Sequence, residues 1–293
     1  MTSITADPTR TDESRSSGLD WGLIGRQIAG ILRLELRRNL FSRRSFALYF
    51  LAFAPVGLFL IWAISPATSY FADPAQAVAQ VFAPVFVGYL RTVIFLSALI
   101  TFMSLYRSEI LERSLHYYYL TPVRRWVLVV GKYCSALISS CAVFAVGTSM
   151  LFLLTCIPWG VGDASRYLFQ GPGLGNLIGY VGIAMMGCLG YGAVFLLVGL
   201  FFRNAIIPAA FIWAWEWANF ALPGVLKKIS VVHYLRALYP IPLPENIAEN
   251  FIAVASDPTS PWVSVPGLVI FTALVLAFAG WRAGQMEVNY EGD

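Results

Sequence analysis

Apolar residues fall along this chain in long blocks, separated by short polar or proline-bearing breaks. The blocks cover residues 46–65, 84–106, 127–157, 176–201, 205–222 and 262–281. About 20 predominantly apolar residues in helical form cross the ~30 Å hydrocarbon core of a bilayer. Only a helix satisfies its own backbone polar groups within one such segment. The pattern therefore predicts an all-α polytopic membrane protein with six transmembrane helices. Pro55, near the middle of the first block, predicts a kink. The third block is longer than a bilayer needs, so its first turns are expected to continue below the membrane surface. Gly179, Gly182, Gly187, Gly190 and Gly192 crowd the fourth block and predict close helix contact there.

The segments between the blocks have patterns of their own. Residues 1–20 are polar, small and charged, which predicts a disordered tail. Over residues 21–45, Trp21, Ile24, Ile28, Ile31 and Leu32 recur at helical spacing, with Arg26, Arg33 and Arg37 opposite them. Arg38, Arg43 and Arg44 close that segment. This is the form of an interfacial amphipathic helix, its apolar face in the acyl boundary and Trp21, Arg26, Arg33, Arg37, Arg43 and Arg44 anchoring it to lipid. Glu35 interrupts the apolar face. Residues 66–83 and 158–175 read as outer loops, the second rich in glycine. Residues 223–261 are amphipathic and proline-broken, which predicts short helices lying on, or dipping into, the outer leaflet. Residues 286–293 form an acidic tail.

Composition agrees with the pattern. The chain is 58% hydrophobic and only 12% charged, against about 25% charged in soluble domains. The net charge of +4 does not point to nucleic acid, because the cations border apolar blocks and form no single patch. Their distribution reports topology instead. The segments expected inside hold twelve: Arg33, Arg37, Arg38, Arg43, Arg44, Arg107, Arg113, Arg124, Arg125, Lys132, Arg203 and Arg282. Those expected outside hold four: Arg166, Lys227, Lys228 and Arg236. The asymmetry puts both termini in the cytoplasm of a multi-pass protein, expected in a bacterial plasma membrane. No cleavable signal peptide is read at the N-terminus. Cys134, Cys141, Cys156 and Cys188 all lie in apolar blocks without CxxC spacing and read as packing residues.

Little in the chain points to an enzyme. His116 and His233 fall on opposite sides of the membrane in this topology, so they cannot share a metal or a triad. No phosphate-binding GxxxxGK[ST] motif occurs: Gly131-Lys132 is followed by Tyr133. Arg91 and Glu216 are charged residues within apolar blocks. Arg91 is near the outer end of the second block and reads as a snorkelling or cavity-lining cation. Glu216 lies in the outer half of the fifth, where Trp213, Glu216, Trp217 and Phe220 share a face at helical spacing. An acid at that depth is a candidate for a translocation path, an outer gate or a structural pair.

The stretch from Arg107 to Lys132 is a charged, aromatic island between the second and third blocks. Pro122 breaks it, and Tyr117, Tyr118 and Tyr119 are residues typical of protein interfaces. Glu112-Arg113-Ser114-Leu115, then Leu120-Thr121-Pro122-Val123-Arg124-Arg125 and Gly131-Lys132, resemble the corresponding loop in membrane subunits of type-2 ATP-binding cassette (ABC) exporters. Arg113 and Ser114 stand where that family usually has glycine and threonine. The resemblance covers roughly residues 21–285, including the six-span layout of residues 46–285.

It implies a permease subunit that forms a substrate path and has no ATPase site or cofactor of its own. ATP and magnesium would sit on a soluble ABC ATPase partner. A second permease copy or a paralogue would complete the membrane part. A cytoplasmic coupling helix would present Glu109, Glu112, Arg113, Thr121, Pro122, Arg124 and Arg125 to the ATPase, and the second and fifth spans would line the path. Other readings of the same residues are a proton-coupled secondary carrier, or an ATPase-independent membrane enzyme or scaffold, centred on Glu216.

Overall fold

The computed structural model describes residues 21–41, 43–111, 125–202, 206–218, 229–241 and 260–285. Over these residues the chain is helical, joined by turns and bends. Five helical stretches have the length and apolar character to cross a membrane: Ser45–Ala63, Pro74–Leu105, Trp126–Gln170, Gly173–Phe201 and Pro261–Gln285. The protein is accordingly an all-α, multi-pass membrane protein.

Helix α1 (Trp21–Phe41) precedes α2 (Arg43–Ala63), which continues through Pro55. The third helix, α3, begins at Pro74 and runs to Leu111. Two π-helical stretches, Val78–Phe82 and Tyr89–Ile94, interrupt it. Then come α4 (Arg125–Cys156), α5 (Gly173–Phe201), α6 (Ile206–Trp217), the short α7 (Val231–Arg236) and α8 (Pro261–Gln285). The end of the bundle where α3 stops and α4 starts is the loop end.

Two expected loops are largely helical. At residues 66–83, a 3-10 turn (Pro66–Tyr70) leads into the first turns of α3. The Asp73 carboxylate accepts from the Gln76 N–H at 2.7 Å, and the Gln76 side-chain oxygen accepts from the Ala72 N–H at 2.7 Å. This pair of bonds resembles a capping box, with the Gln76 side chain reaching one residue past the N-cap, and Pro74 at the first helical position suits a helix start. Ala77, Val78, Phe82 and Ala83 are then buried, so these turns belong to the core. At residues 158–175, α4 ends in a 3-10 turn, Ile157–Trp159. Gly160 follows with φ of +80°, a conformation that favours glycine. The chain then resumes as a helix, Gly160–Ser165, and a π turn, Arg166–Gln170.

Helix α5 is the axis of the bundle. It packs most extensively on α3 and α4, and also on α7 and α8. Its glycines make the close approaches possible. A Cβ at Gly187 would lie 2.9 Å from Leu90 Cδ1, and one at Gly190 would lie 2.8 Å from Val231 Cγ1. At Gly192 it would enter the Phe102 ring, 2.6 Å from Cζ. Gly179 meets Pro240 at 3.2 Å, whereas Gly182 has nothing within 4 Å. Away from the loop end, Phe82, Phe86, Phe152 and Tyr180 form an aromatic cluster, with Tyr180 4.9 Å from Phe82 and 4.8 Å from Phe86 between ring centroids.

The described helix of the fifth expected span covers twelve residues, about 18 Å at 1.5 Å per residue. That is short of a full crossing, and the next described residues are 229–241. There the chain starts deep and climbs along α5: Val231 lies against Gly190, Leu235 against Gly187 and Pro240 against Gly179. Gly190 is eleven residues from the loop end of α5, or about 17 Å. Residues 229–241, part of the segment expected on or in the outer leaflet, thus pack inside the bundle against α5.

Gly192→Ala is expected to lower stability by about 1–3 kcal/mol, because the added Cβ displaces the buried Phe102 ring. Gly182→Ala, on the same helix with open space beside it, should leave the melting temperature unchanged or slightly raised. Thermal unfolding of the two variants in one detergent checks the pair.

Candidate functional site

Two buried charged sites stand out. The first is Glu216, at the end of α6 and 5% exposed. Helix α7 starts inside the bundle, so its first N–H groups have no intrahelical acceptor and no bulk water. Glu216 supplies the acceptors. Its Oε1 accepts from the Val231 N–H at 3.0 Å, and its Oε2 from the Val232 N–H at 3.1 Å. The Ser230 hydroxyl donates to Oε2 at 2.8 Å, and the Tyr191 hydroxyl points at the same oxygen from 3.4 Å. Ser230 is the N-cap residue of α7, yet its side chain makes no cap bond of its own. The carboxylate caps the helix instead, from another element and fifteen residues away from Val231.

Beside this cap lies Arg91. It sits in the second π stretch of α3 and is 8% exposed. Its guanidinium carbon lies 5.3 Å from the centroid of the Trp217 ring, within cation–π range. Arg91 acts on Glu216 through its charge but is not within ion-pair distance of it. Trp213 and Trp217 are neighbours, with ring centroids 5.8 Å apart, and Trp213 is 41% exposed. The residues expected to share one face thus meet different surroundings. Glu216 is turned into the bundle, Trp217 under Arg91 and Trp213 partly outward; Phe220 lies outside the described residues.

The second site is at the loop end. The Lys132 ammonium donates to Glu35 Oε1 at 2.9 Å, with both side chains almost fully buried. One turn further along each helix, the Asn39 amide donates to Ser135 Oγ at 2.8 Å. Gly131 lets Ile31 come within 3.0 Å of where a Cβ would be. Helix α1 therefore docks on the first turns of α4 with Ile31, Glu35 and Asn39, so Ile31, expected in the acyl boundary, packs on protein instead. Arg26 and Arg33 are exposed on its other side. The acid that interrupts the apolar face is the one that meets Lys132.

Of the remaining candidate residues, Glu112, Arg113, Thr121, Pro122 and Arg124 lie outside the described residues. Glu109 and Arg125 lie on the helical turns that flank them, at the ends of α3 and α4. Trp21, Arg37 and Arg43 lie on α1 and α2, and Arg44 on α2. Near the same end, Trp126, Val130, Leu276 and Trp281 contribute to an apolar groove of about 480 Å³ between α4 and α8.

Sequence reasoning missed the partners of both charged sites. Ser230 ahead of the apolar run Val231-Val232 is a helix-start signal, but nothing local says that the acceptor comes from α6. Lys132 inside an apolar block, and Glu35 on an apolar face, are each unusual enough to imply a partner. Comparison with known protein families, curated proteins and solved structures finds no match.

Glu216→Ala is expected to strand the Val231 and Val232 N–H groups, at about 1–3 kcal/mol each. Amide exchange at those two positions should accelerate, and Ser230→Ala should have a smaller effect of the same sign. Lys132→Met leaves Glu35 buried without its counter-ion and should cost about 3–5 kcal/mol. Adding Glu35→Leu to that variant should recover most of the loss, because an apolar pair carries no desolvation penalty. Thermal unfolding of the two single variants and the double variant measures the coupling.

Proposed function

We propose that this chain is the permease subunit of an ABC-type exporter, driven by ATP hydrolysis on a separate soluble ATPase subunit. The observation that carries the proposal is the docking of α1 on Gly131 and Lys132. These two residues end the motif on which the resemblance to type-2 exporters rests. Their side of α4 holds α1 through a buried ion pair and a second hydrogen bond. Residues 112–124 are thus followed in the chain by a helix base braced by another helix. A push delivered there by a partner reaches a rigid two-helix unit and the spans attached to it.

In this reading Glu109, Glu112, Arg113, Thr121, Pro122, Arg124 and Arg125 form the coupling contact. Both termini are cytoplasmic in a bacterial plasma membrane, and a second copy or a paralogue completes the translocation path. ATP and magnesium belong to the partner. The cap formed by Glu216 favours a structural role for that acid over proton carriage, since its oxygens already hold Ser230, Val231 and Val232.

The test is co-purification from the native membrane in mild detergent, followed by an ATPase assay. A stoichiometric ATPase partner is expected. Combined Arg124→Glu and Arg125→Glu should leave the chain folded while reducing partner-coupled hydrolysis at least about tenfold, the effect of losing ~1.4 kcal/mol of contact. Capture without an ATPase, or unchanged coupled hydrolysis in the charge-reversed variant, overturns the reading.

A further inference from the structure

Among the described residues, the charges around the Glu216 cap do not balance. Glu216 is held by neutral donors: a hydroxyl and two backbone N–H groups. Two cations lie near it. Arg91 is buried to 8% exposure, stacked on Trp217, and makes no hydrogen bond or ion pair to any described residue. Arg236, at the end of α7, is half-buried and likewise lacks a carboxylate or hydrogen-bond partner among the described residues.

The fold brings these two arginines toward one place. Their chain neighbours Leu90 and Leu235 meet at Gly187, 2.9 Å and 3.7 Å from the same Cβ position. Tyr239, just beyond α7, packs near Phe86 on α3, with ring centroids 6.4 Å apart. The Arg91 charge acts on Arg236 and on Tyr239.

One carboxylate stands against two guanidinium groups, so one positive charge is left without a counter-charge among the described residues. Arginine presents a planar fork of donors matched to phosphate oxygens. We propose that Arg91 and Arg236 together form a binding site for a phosphate-bearing anion, with Trp217 as the platform beneath Arg91. The depth suits such a ligand. Arg91 is sixteen residues from Arg107 at the loop end of α3, or about 24 Å along a helix. That lies in the half of a ~30 Å core away from the loop, within reach of the far headgroup layer for a long side chain. A phosphodiester of a lipid headgroup and a phosphate-bearing solute share this chemistry. The site does not depend on an ATPase partner, so it stands or falls separately from the proposed function.

The test uses the full chain, purified in neutral detergent and stripped of lipid. Phosphatidylglycerol, phosphatidylcholine and glycerol phosphate are each titrated at fixed ionic strength, with binding read by native mass spectrometry and thermal shift. Saturable binding is expected, weakened at least about tenfold by Arg236→Gln and by Arg91→Gln. Arg166→Gln, which changes an exposed arginine in the turn after α4, should bind as the wild type does. If Arg91→Gln does not fold, Arg91→Lys keeps the charge without the fork and should weaken binding, and Arg236→Gln alone still decides. Preference for phosphatidylglycerol over the soluble phosphate assigns the ligand to lipid; the reverse assigns it to a solute. Equal binding by wild type and Arg236→Gln, or no saturable binding by any of the three probes, overturns the site.

Discussion

A backbone N–H inside a bilayer has no water to donate to, so a helix that begins there must find its acceptors in the protein. Helix α7 begins in that position, against the middle of α5, and Glu216 provides the acceptors. Much else follows from that one contact. The carboxylate ties the end of α6 to the start of α7, and α7 fills the notch left by Gly187 and Gly190. The more extensive helix pairs among the described residues do not involve α6, and Ile206, Ile207 and Phe211 on it are strongly exposed. Its hold on the bundle is concentrated where Glu216 and Trp217 meet the cap and Arg91.

The Lys132–Glu35 pair solves a related problem by other means. Burying one charge is costly, and burying two is tolerable when geometry and neighbours suit. Here the pair sits between Ile31–Gly131 and Asn39–Ser135, so the three contacts set the crossing of α1 over α4. Ser45 adds a short hydrogen bond to the Asn39 carbonyl, and the Tyr49 hydroxyl donates to the Leu40 carbonyl at 2.9 Å, where α1 gives way to α2. The end of the molecule where α4 begins is therefore braced from two directions.

The spanning helices were legible from the sequence because lipid imposes a single requirement on them: an apolar run of sufficient length. Five of the expected blocks coincide with helices to within a few residues at most ends, α3 starting earlier than expected. The glycine-rich face of α5 was legible for the same kind of reason, since small side chains have one obvious use there. The start of α3 was less so. Its Asp73–Gln76 pair lies in a stretch whose prolines and polar residues look like a loop, and only the burial of Val78 and Phe82 makes it core. Charged partners were the hardest to see. Glu216 and Arg91 could be flagged singly, but the meeting of α3, α6 and α7 is a property of the tertiary fold. Glu35 looked like a flaw in an amphipathic helix until α4 supplied Lys132.

The separation of the two buried charged contacts along the chain sets an order in which the protein can be made. Glu216 waits only fifteen residues for Val231. Glu35 must wait 97 residues for Lys132, about 5–20 s at ordinary rates of synthesis. During that interval α1 has emerged with an acid on its apolar face and nothing to neutralise it. The pair can close only once α4 has been made, so α1 must keep Glu35 hydrated until then. Arg26 and Arg33, exposed on its other side, stay solvated before and after α1 docks, so the amphipathic pattern of α1 suits the nascent chain as well as the finished fold.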